Sequence, residues 1–127
     1  MTDDCSNSQC SERDWSGNHW SLMLVWGLPG LIMLTAALGD PVVRGVIWTA
    51  MLLWMGGACL FNARQCTRTH CRFTGPFLIV MAGLVAGDAM GALALGAHGW
   101  VILGGITFFG FVVLWSGSEQ ILGKFSR

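Results

Sequence analysis

Charged residues are scarce in this sequence. Only 11% of its 127 residues are Asp, Glu, Lys or Arg, and the formal net charge is zero. Nucleic-acid binding needs a basic surface, so we expect no nucleic-acid partner. The phosphate-loop pattern G-x-x-x-x-G-K-[ST] and a His/carboxylate metalloprotease pattern are also absent. The sequence thus carries no hydrolase, kinase or nucleotide-binding motif, and we predict that the protein is not an enzyme.

Paired cysteine motifs are missing as well. Five cysteines are an odd number, which excludes a fully paired disulfide framework within one chain. No C-x2-C pair occurs, which disfavours a zinc ribbon. Cys5 and Cys10 form a C-x4-C pair in a polar tail, and chance cysteines are the preferred interpretation of so weak a spacing. We expect the three central cysteines to be cytosolic and reduced.

Apolar residues, by contrast, are abundant. They make up 54% of the chain, and 18 glycines and seven tryptophans accompany them. Four apolar stretches are each about as long as a bilayer core requires, near 20 residues. We therefore predict an all-α integral membrane four-helix bundle. Its helices span about 20–39, 41–61, 76–95 and 100–117.

The helices form one domain, 19–118, between two polar tails. Residues 1–18 are predicted to be a flexible tail without a cleavable signal peptide, and 119–127 a short C-terminal tail. A loop rich in Cys, His and Arg, 62–75, divides the helices into two pairs. Asp40 and Pro41 are typical of a helix cap and first turn, and Thr74-Gly75-Pro76 indicates another helix start.

The distribution of positive charge predicts orientation. With a cytosolic N-terminus, six of the seven Lys and Arg residues lie on the inner side and only Arg44 lies outside. We therefore place both termini and the 62–75 loop in the cytosol of a multi-pass protein of the bacterial inner membrane, with the lipid bilayer as its first partner. On this view the arginines of the loop contact lipid headgroups and set the topology; they are Arg64, Arg68 and Arg72.

Soft metal ligands are concentrated in the same loop. If a helix ran on through His70, Cys66 and His70 would lie within about 20° of Cys59, opposite the arginine stripe. Cys71 would lie about 120° away, joining the others only if the helix breaks. Thiolates select soft ions such as Hg(II) or Cu(I), and nearby arginines favour the thiolate. The predicted metal ligands are Cys59, Cys66, His70 and Cys71; the alternative is that the loop has only a topological role.

One acidic residue lies inside a predicted membrane span. A carboxylate at the centre of a bilayer costs about 2.5–3.5 kcal/mol on insertion scales, so Asp88 is a candidate functional residue. Three interpretations remain open: a proton or cation relay on a transport path, an ion pair with Arg44, or a carboxyl group that stays protonated.

Small residues recur at helical spacing in the third helix. Gly83, Gly87 and Gly91 follow each other every four residues, which favours close approach of another helix. This face supports a second functional hypothesis, a non-catalytic accessory or assembly subunit that packs against itself or a larger membrane complex. A thiol oxidoreductase or a haem protein with His70 as axial ligand is a third.

In size, helix count and placement of Cys59, Cys66 and Cys71, the sequence resembles the small inner-membrane proteins of bacterial mercury resistance. The resemblance implies a soft-metal handling or transport function, with the mercuric ion as the most concrete cargo. The chain departs from the family in its first helix, which lacks the adjacent Cys-Cys pair of the mercury importers. The resemblance therefore does not extend to the import mechanism.

Overall fold

Four helices and no strand make up the computed structural model, which describes residues 18–66 and 69–122 except for the side chains at 66 and 119. Each helix is long and apolar enough to cross a membrane. This confirms the predicted all-α, multi-pass architecture. The helices are α1 (His19–Ala36), α2 (Pro41–Cys66), α3 (Thr69–Ala89) and α4 (Gly99–Leu122).

Helix α1 contains one wide turn next to its proline. Residues Met23–Gly27 are π-helical, and the Leu28 N–H donates to the Met23 carbonyl. Pro29 follows directly, has no N–H to donate, and its ring would clash with the carbonyl four residues before it. A π turn relieves that clash by widening the backbone just before the proline. The proline in α1 is thus accommodated by one π turn.

The start of α2 agrees with the sequence. The N–H of Val42 donates to Asp40 Oδ1 at 2.9 Å, and the helix begins at Pro41. The carboxylate satisfies a backbone donor that the first helical turn leaves without an intrahelical acceptor. The predicted cap at Asp40 is confirmed.

The connection between α2 and α3 differs from the predicted loop 62–75. Helix α2 continues to Cys66 and α3 already begins at Thr69, so nearly all of that segment is helical. The helix start predicted at Thr74-Gly75-Pro76 is wrong, because Pro76 lies inside α3. Prolines are tolerated within membrane helices, where neighbouring groups compensate for the missing backbone hydrogen bond.

The bundle is built around the α2–α3 hairpin. Helix α4 packs mainly against α3, and α1 packs mainly against α2. Most large apolar side chains outside the core face outward, as expected for contact with lipid. Met55 is buried in the core and Met51 packs against it, which supports a packing role for both. The core consists of Met33, Leu52, Met55, Leu78, Met81, Ala82, Val85 and Leu103.

Candidate functional site: a buried thiol pair

Two cysteines meet where α2 and α3 join. The thiols of Cys59 in α2 and Cys71 in α3 lie close enough to interact, and neither forms a disulfide. Both side chains are fully buried. The contact requires α2 to end before Cys71, and the structure starts a new helix at Thr69. From the sequence, Cys71 could join Cys59 only if the helix broke between them. The structure contains this break.

Close approach of the two backbones makes this contact possible. Gly56 and Gly75 face each other across the helix interface: a Cβ added at Gly75 would lie 3.2 Å from the Gly56 carbonyl oxygen and 2.8 Å from Leu60 Cγ. Glycine at both positions removes the side chains that would hold the helices apart. The hairpin is therefore tight just beside the thiols.

Two further polar side chains complete what we call the thiol cluster, which consists of Cys59, Asn62, His70 and Cys71. His70 Nε2 lies 3.2 Å from Cys71 Sγ, and Asn62 Nδ2 donates to the same sulfur at 3.7 Å. All four side chains are fully buried. Cys71 thus has a thiol, an imidazole and an amide around its sulfur, an environment that supports a thiolate or a metal–sulfur bond.

Aromatic rings cover the cluster on the α4 side. The ring of Trp115 stacks on His70 with centroids 4.2 Å apart and an interplanar angle of 26°. Trp115 in turn makes edge contacts with Phe111 and Trp26, at centroid distances of 5.3 and 5.7 Å. This packing fixes the plane of the imidazole and separates the thiols from lipid.

Two buried hydroxyl groups adjoin the cluster. Thr69 precedes His70, and Thr74 lies one turn after it on the same helix; both are fully buried. Neither hydroxyl has a hydrogen-bond partner within the described part of the chain. A buried polar group without a partner costs about 1–3 kcal/mol, so such groups commonly mark the position of a bound water or ion.

The other ligands predicted in this region behave differently. Cys66 is the last residue of α2, so the single continuous helix assumed for Cys66 and His70 is not formed. The side chain of Cys66 and all of Arg68 lie outside the described residues, as do Cys5 and Cys10. Arg64 and Arg72 are exposed, consistent with headgroup contact.

A closed metal site of three or more ligands does not form within residues 18–66 and 69–122. No group of at least three His, Cys, Asp or Glu side chains converges there in a metal-binding arrangement. The arrangement that remains is a pair of thiols beside an imidazole. Two sulfur ligands suit a soft ion of low coordination number, whereas structural zinc takes four ligands.

Arg44 and Asp88 lie at the other end of the bundle. They line the same pocket, but the described part of the chain contains no ion pair between them. The Arg44 guanidinium instead lies over the ring of Trp100, with Cζ 4.4 Å from the centroid. The ion pair considered from the sequence is therefore not formed. Seventeen residues of α3 separate Cys71 from Asp88, about 26 Å at 1.5 Å per residue.

The predicted glycine face is only partly helical. Gly91 lies beyond the end of α3 and has a φ of +72°, so it belongs to the turn and not to the face. A Cβ added at Gly87 would lie 3.3 Å from Leu93, which covers that position. Gly83 is exposed and has open space above it. The correction follows from the helix ending at Ala89 and not near residue 95.

Sequence reasoning missed two members of this region. Asn62 lies within the predicted loop 62–75 without an assigned role, and no prediction concerns Trp115. The signal for Asn62 is its position three residues after Cys59, on the same face of a helix. Trp115 carried no such signal, because its contact with His70 depends on how α4 packs against α3.

Comparisons with protein families, with characterised proteins and with solved structures find no match to this chain. The functional argument therefore depends on the site itself.

Proposed function

We propose that this protein binds a soft metal ion between the thiols of Cys59 and Cys71, with the mercuric ion as the most concrete case and Cu(I) as the other. The observation that carries the proposal is the buried contact between these two thiols. Soft ions prefer thiolate ligands to nitrogen or oxygen ligands, and a pair of sulfurs meets the need of an ion with low coordination number.

His70 serves this site as a proton acceptor. Metal binding requires each thiol to lose its proton. Nε2 of His70 lies 3.2 Å from Cys71 Sγ, within reach of the proton that Cys71 releases. Asn62 then donates a hydrogen bond to the sulfur, which stabilises its negative charge. Cys66, at the end of α2, is the proposed first contact for an incoming ion.

Transport across the inner membrane is the fuller form of this proposal. The core between the thiol cluster and Asp88 contains the thioethers of Met33, Met55 and Met81. Thioethers are soft ligands, so they offer intermediate positions for Cu(I) along the bundle. Uptake of the ion into protein-containing vesicles tests this step. Replacing Met55 and Met81 with Leu keeps the core apolar, and uptake should fall while binding at the cysteines persists.

Metal stoichiometry on the purified, reduced protein tests the binding step. The wild type is compared in mild detergent with Cys59→Ser/Cys71→Ser, and Cys5→Ser/Cys10→Ser is the matched control for the number of thiols. Competing small-molecule thiol removes loosely held ions. We expect one ion per chain in the wild type and the control, and none in the Cys59/Cys71 variant. Equal binding in all three proteins would contradict the proposal, provided that their helical circular dichroism is the same.

A second candidate function is an accessory subunit of a larger membrane complex, or a homo-oligomer. The observation in its favour is the open, exposed surface around Gly83, flanked by the exposed side chains of Val80 and Leu84. A partner helix can approach closely at a glycine. Cross-linking and particle-size measurement in mild detergent separate the two candidates. A monomer that forms no cross-links would count against the subunit.

A further inference from the structure

The pocket lined by Arg44 and Asp88 lies at the end of the bundle opposite the thiol cluster. It has a volume of about 270 Å³ and lies between the start of α2, the end of α3 and the start of α4. Its chemistry comes from one basic, one acidic and two aromatic side chains: Arg44, Asp88, Trp48 and Trp100. Because about 26 Å of α3 separates it from Cys71, the pocket is independent of the proposed metal site.

The two charged side chains of this pocket are held apart. The guanidinium of Arg44 lies against the Trp100 ring and donates from Nη1 to the Ala37 carbonyl at 3.5 Å. The Asp88 carboxyl lies against Gly99, where an added Cβ would be 2.8 Å from Oδ1. The Asp88 carboxyl group forms no hydrogen bond or ion pair in the part of the chain that the structure describes. A pocket with separated, opposite charges is complementary to a molecule that carries the same two charges in reverse order.

Two tryptophan rings line the pocket, and the Arg44 guanidinium already lies over one of them, Trp100. Trp48 and Trp100 meet edge to face, with centroids 6.1 Å apart and an interplanar angle of 88°. The indole N–H of Trp48 is already bonded to the Met33 carbonyl at 2.9 Å, so Trp48 offers the pocket its ring and not a donor. The Asp88 carboxylate is therefore the group that attracts an ammonium ion in this pocket.

The surroundings of the pocket indicate a lipid. Val42 lines it and is 62% exposed, and Leu38 and Leu95 nearby along the chain are also exposed. Arginine and tryptophan at the end of a membrane helix are typical of the headgroup region. A ligand whose polar part enters here can keep its apolar part on these side chains, as a phospholipid does.

We propose that this pocket binds the zwitterionic headgroup of an aminophospholipid, with the phosphate at Arg44 and the primary ammonium group at Asp88. The primary ammonium group donates hydrogen bonds to the Asp88 carboxylate. A quaternary ammonium group has no N–H bond and cannot do so. The phosphate accepts from the Arg44 guanidinium. The site therefore discriminates phosphatidylethanolamine from both phosphatidylcholine and phosphatidylglycerol.

The experiment reconstitutes the full chain with equal parts of these three lipids, all with the same acyl chains, and analyses the lipids that remain after mild detergent extraction. We expect phosphatidylethanolamine to be enriched about threefold or more over each of the others in the wild type. Asp88→Asn should abolish this preference. Arg44→Gln should lower the retention of all three. Arg64→Gln, at the other end of the bundle, is the matched control and should leave the preference for phosphatidylethanolamine unchanged.

Two results would overturn the proposal. One is equal retention of the three lipids by the wild type, a measurement that depends on no variant. The other is an unchanged preference in a folded Asp88→Asn protein. Binding of free phosphoethanolamine to the wild type is measured as well. If it binds while the three lipids are retained equally, the ligand is a soluble zwitterion and the lipid assignment is wrong. Metal stoichiometry at the cysteines does not enter any of these outcomes.

Discussion

The ring of Trp115 lies flat against His70, with their centroids 4.2 Å apart, and His70 in turn contacts the sulfur of Cys71. One side chain of α4 thus packs on the imidazole beside the thiols, and we expect it to limit access to them from the α4 side. The accessibility of Cys71 is therefore a property of how α4 packs on the hairpin, and it can be measured.

Replacing Trp115 with Leu should expose the thiol cluster. Leucine is apolar but cannot cover the His70 ring, so a membrane-permeant maleimide should label Cys71 at least several times faster than in the wild type. Mass spectrometry of peptides measures the labelling rate. Trp20→Leu is the control, because Trp20 is 79% exposed and makes no described contact with the cluster. Equal labelling in both variants would show that Trp115 does not limit access.

Mild oxidation should join Cys59 and Cys71. Diamide takes up the two thiol hydrogens and becomes a hydrazine, while the two sulfurs form a disulfide bond. The peptides containing Cys59 and Cys71 should then migrate as a single cross-linked species. Prior loading with Hg(II) should block the reaction, since the metal occupies both sulfurs. Non-reducing peptide mapping checks this. Cross-links that involve mainly Cys66 would contradict the assigned pairing.

Gly75→Ala should destabilise the hairpin. The added methyl group would lie 2.8 Å from Leu60 Cγ and 3.2 Å from the Gly56 carbonyl oxygen, so the Leu60 side chain or the α2 backbone must shift. Overpacking of this kind costs about 1–3 kcal/mol. Gly83→Ala, on the same helix with open space around it, is the matched control and should change stability by less than about 1 kcal/mol. Thermal unfolding in detergent compares the two.

Thr74→Val tests whether the buried hydroxyl group has a ligand. Thr74 is fully buried and its hydroxyl group lacks a partner among the described residues, so a valine of similar shape should leave the free energy of unfolding unchanged or increase it. Thr107→Val is the comparison, because the Thr107 hydroxyl group donates to the Leu103 carbonyl at 2.7 Å; its loss should cost about 0.5–1.5 kcal/mol. A larger loss at Thr74 would indicate a bound water or ion.

The membrane-spanning segments and the first cap could be predicted from the sequence because both depend on local information. Length and apolar composition define the four spans, and Asp40 caps α2 through bonds within three residues. The start of α3 could not be predicted. A proline normally begins a helix, but Pro76 lies inside one, where the surrounding bundle overrides the local preference.

Helical periodicity alone could not predict whether the thiols of Cys59 and Cys71 meet. A continuous helix separates Cys59 from Cys71 by about 120°, and a break between them removes that restriction. The sequence contained both possibilities and no residue that decided between them. The pocket at the other end was equally beyond prediction from the sequence. Arg44 and Asp88 line the same pocket, but the guanidinium of Arg44 lies over the Trp100 ring, and this contact depends on how the helices pack.

The position of the thiol pair within one hairpin also has a consequence for the order of events in biogenesis. Cys71 follows Cys59 by only twelve positions, so their contact has a low contact order and can form as soon as α2 and α3 have been inserted. Helix α4, which carries Trp115, is synthesised later. An interval therefore exists in which the thiols are assembled but uncovered. A cargo loaded co-translationally would meet an open site, and one loaded after maturation would have to wait for α4 to move.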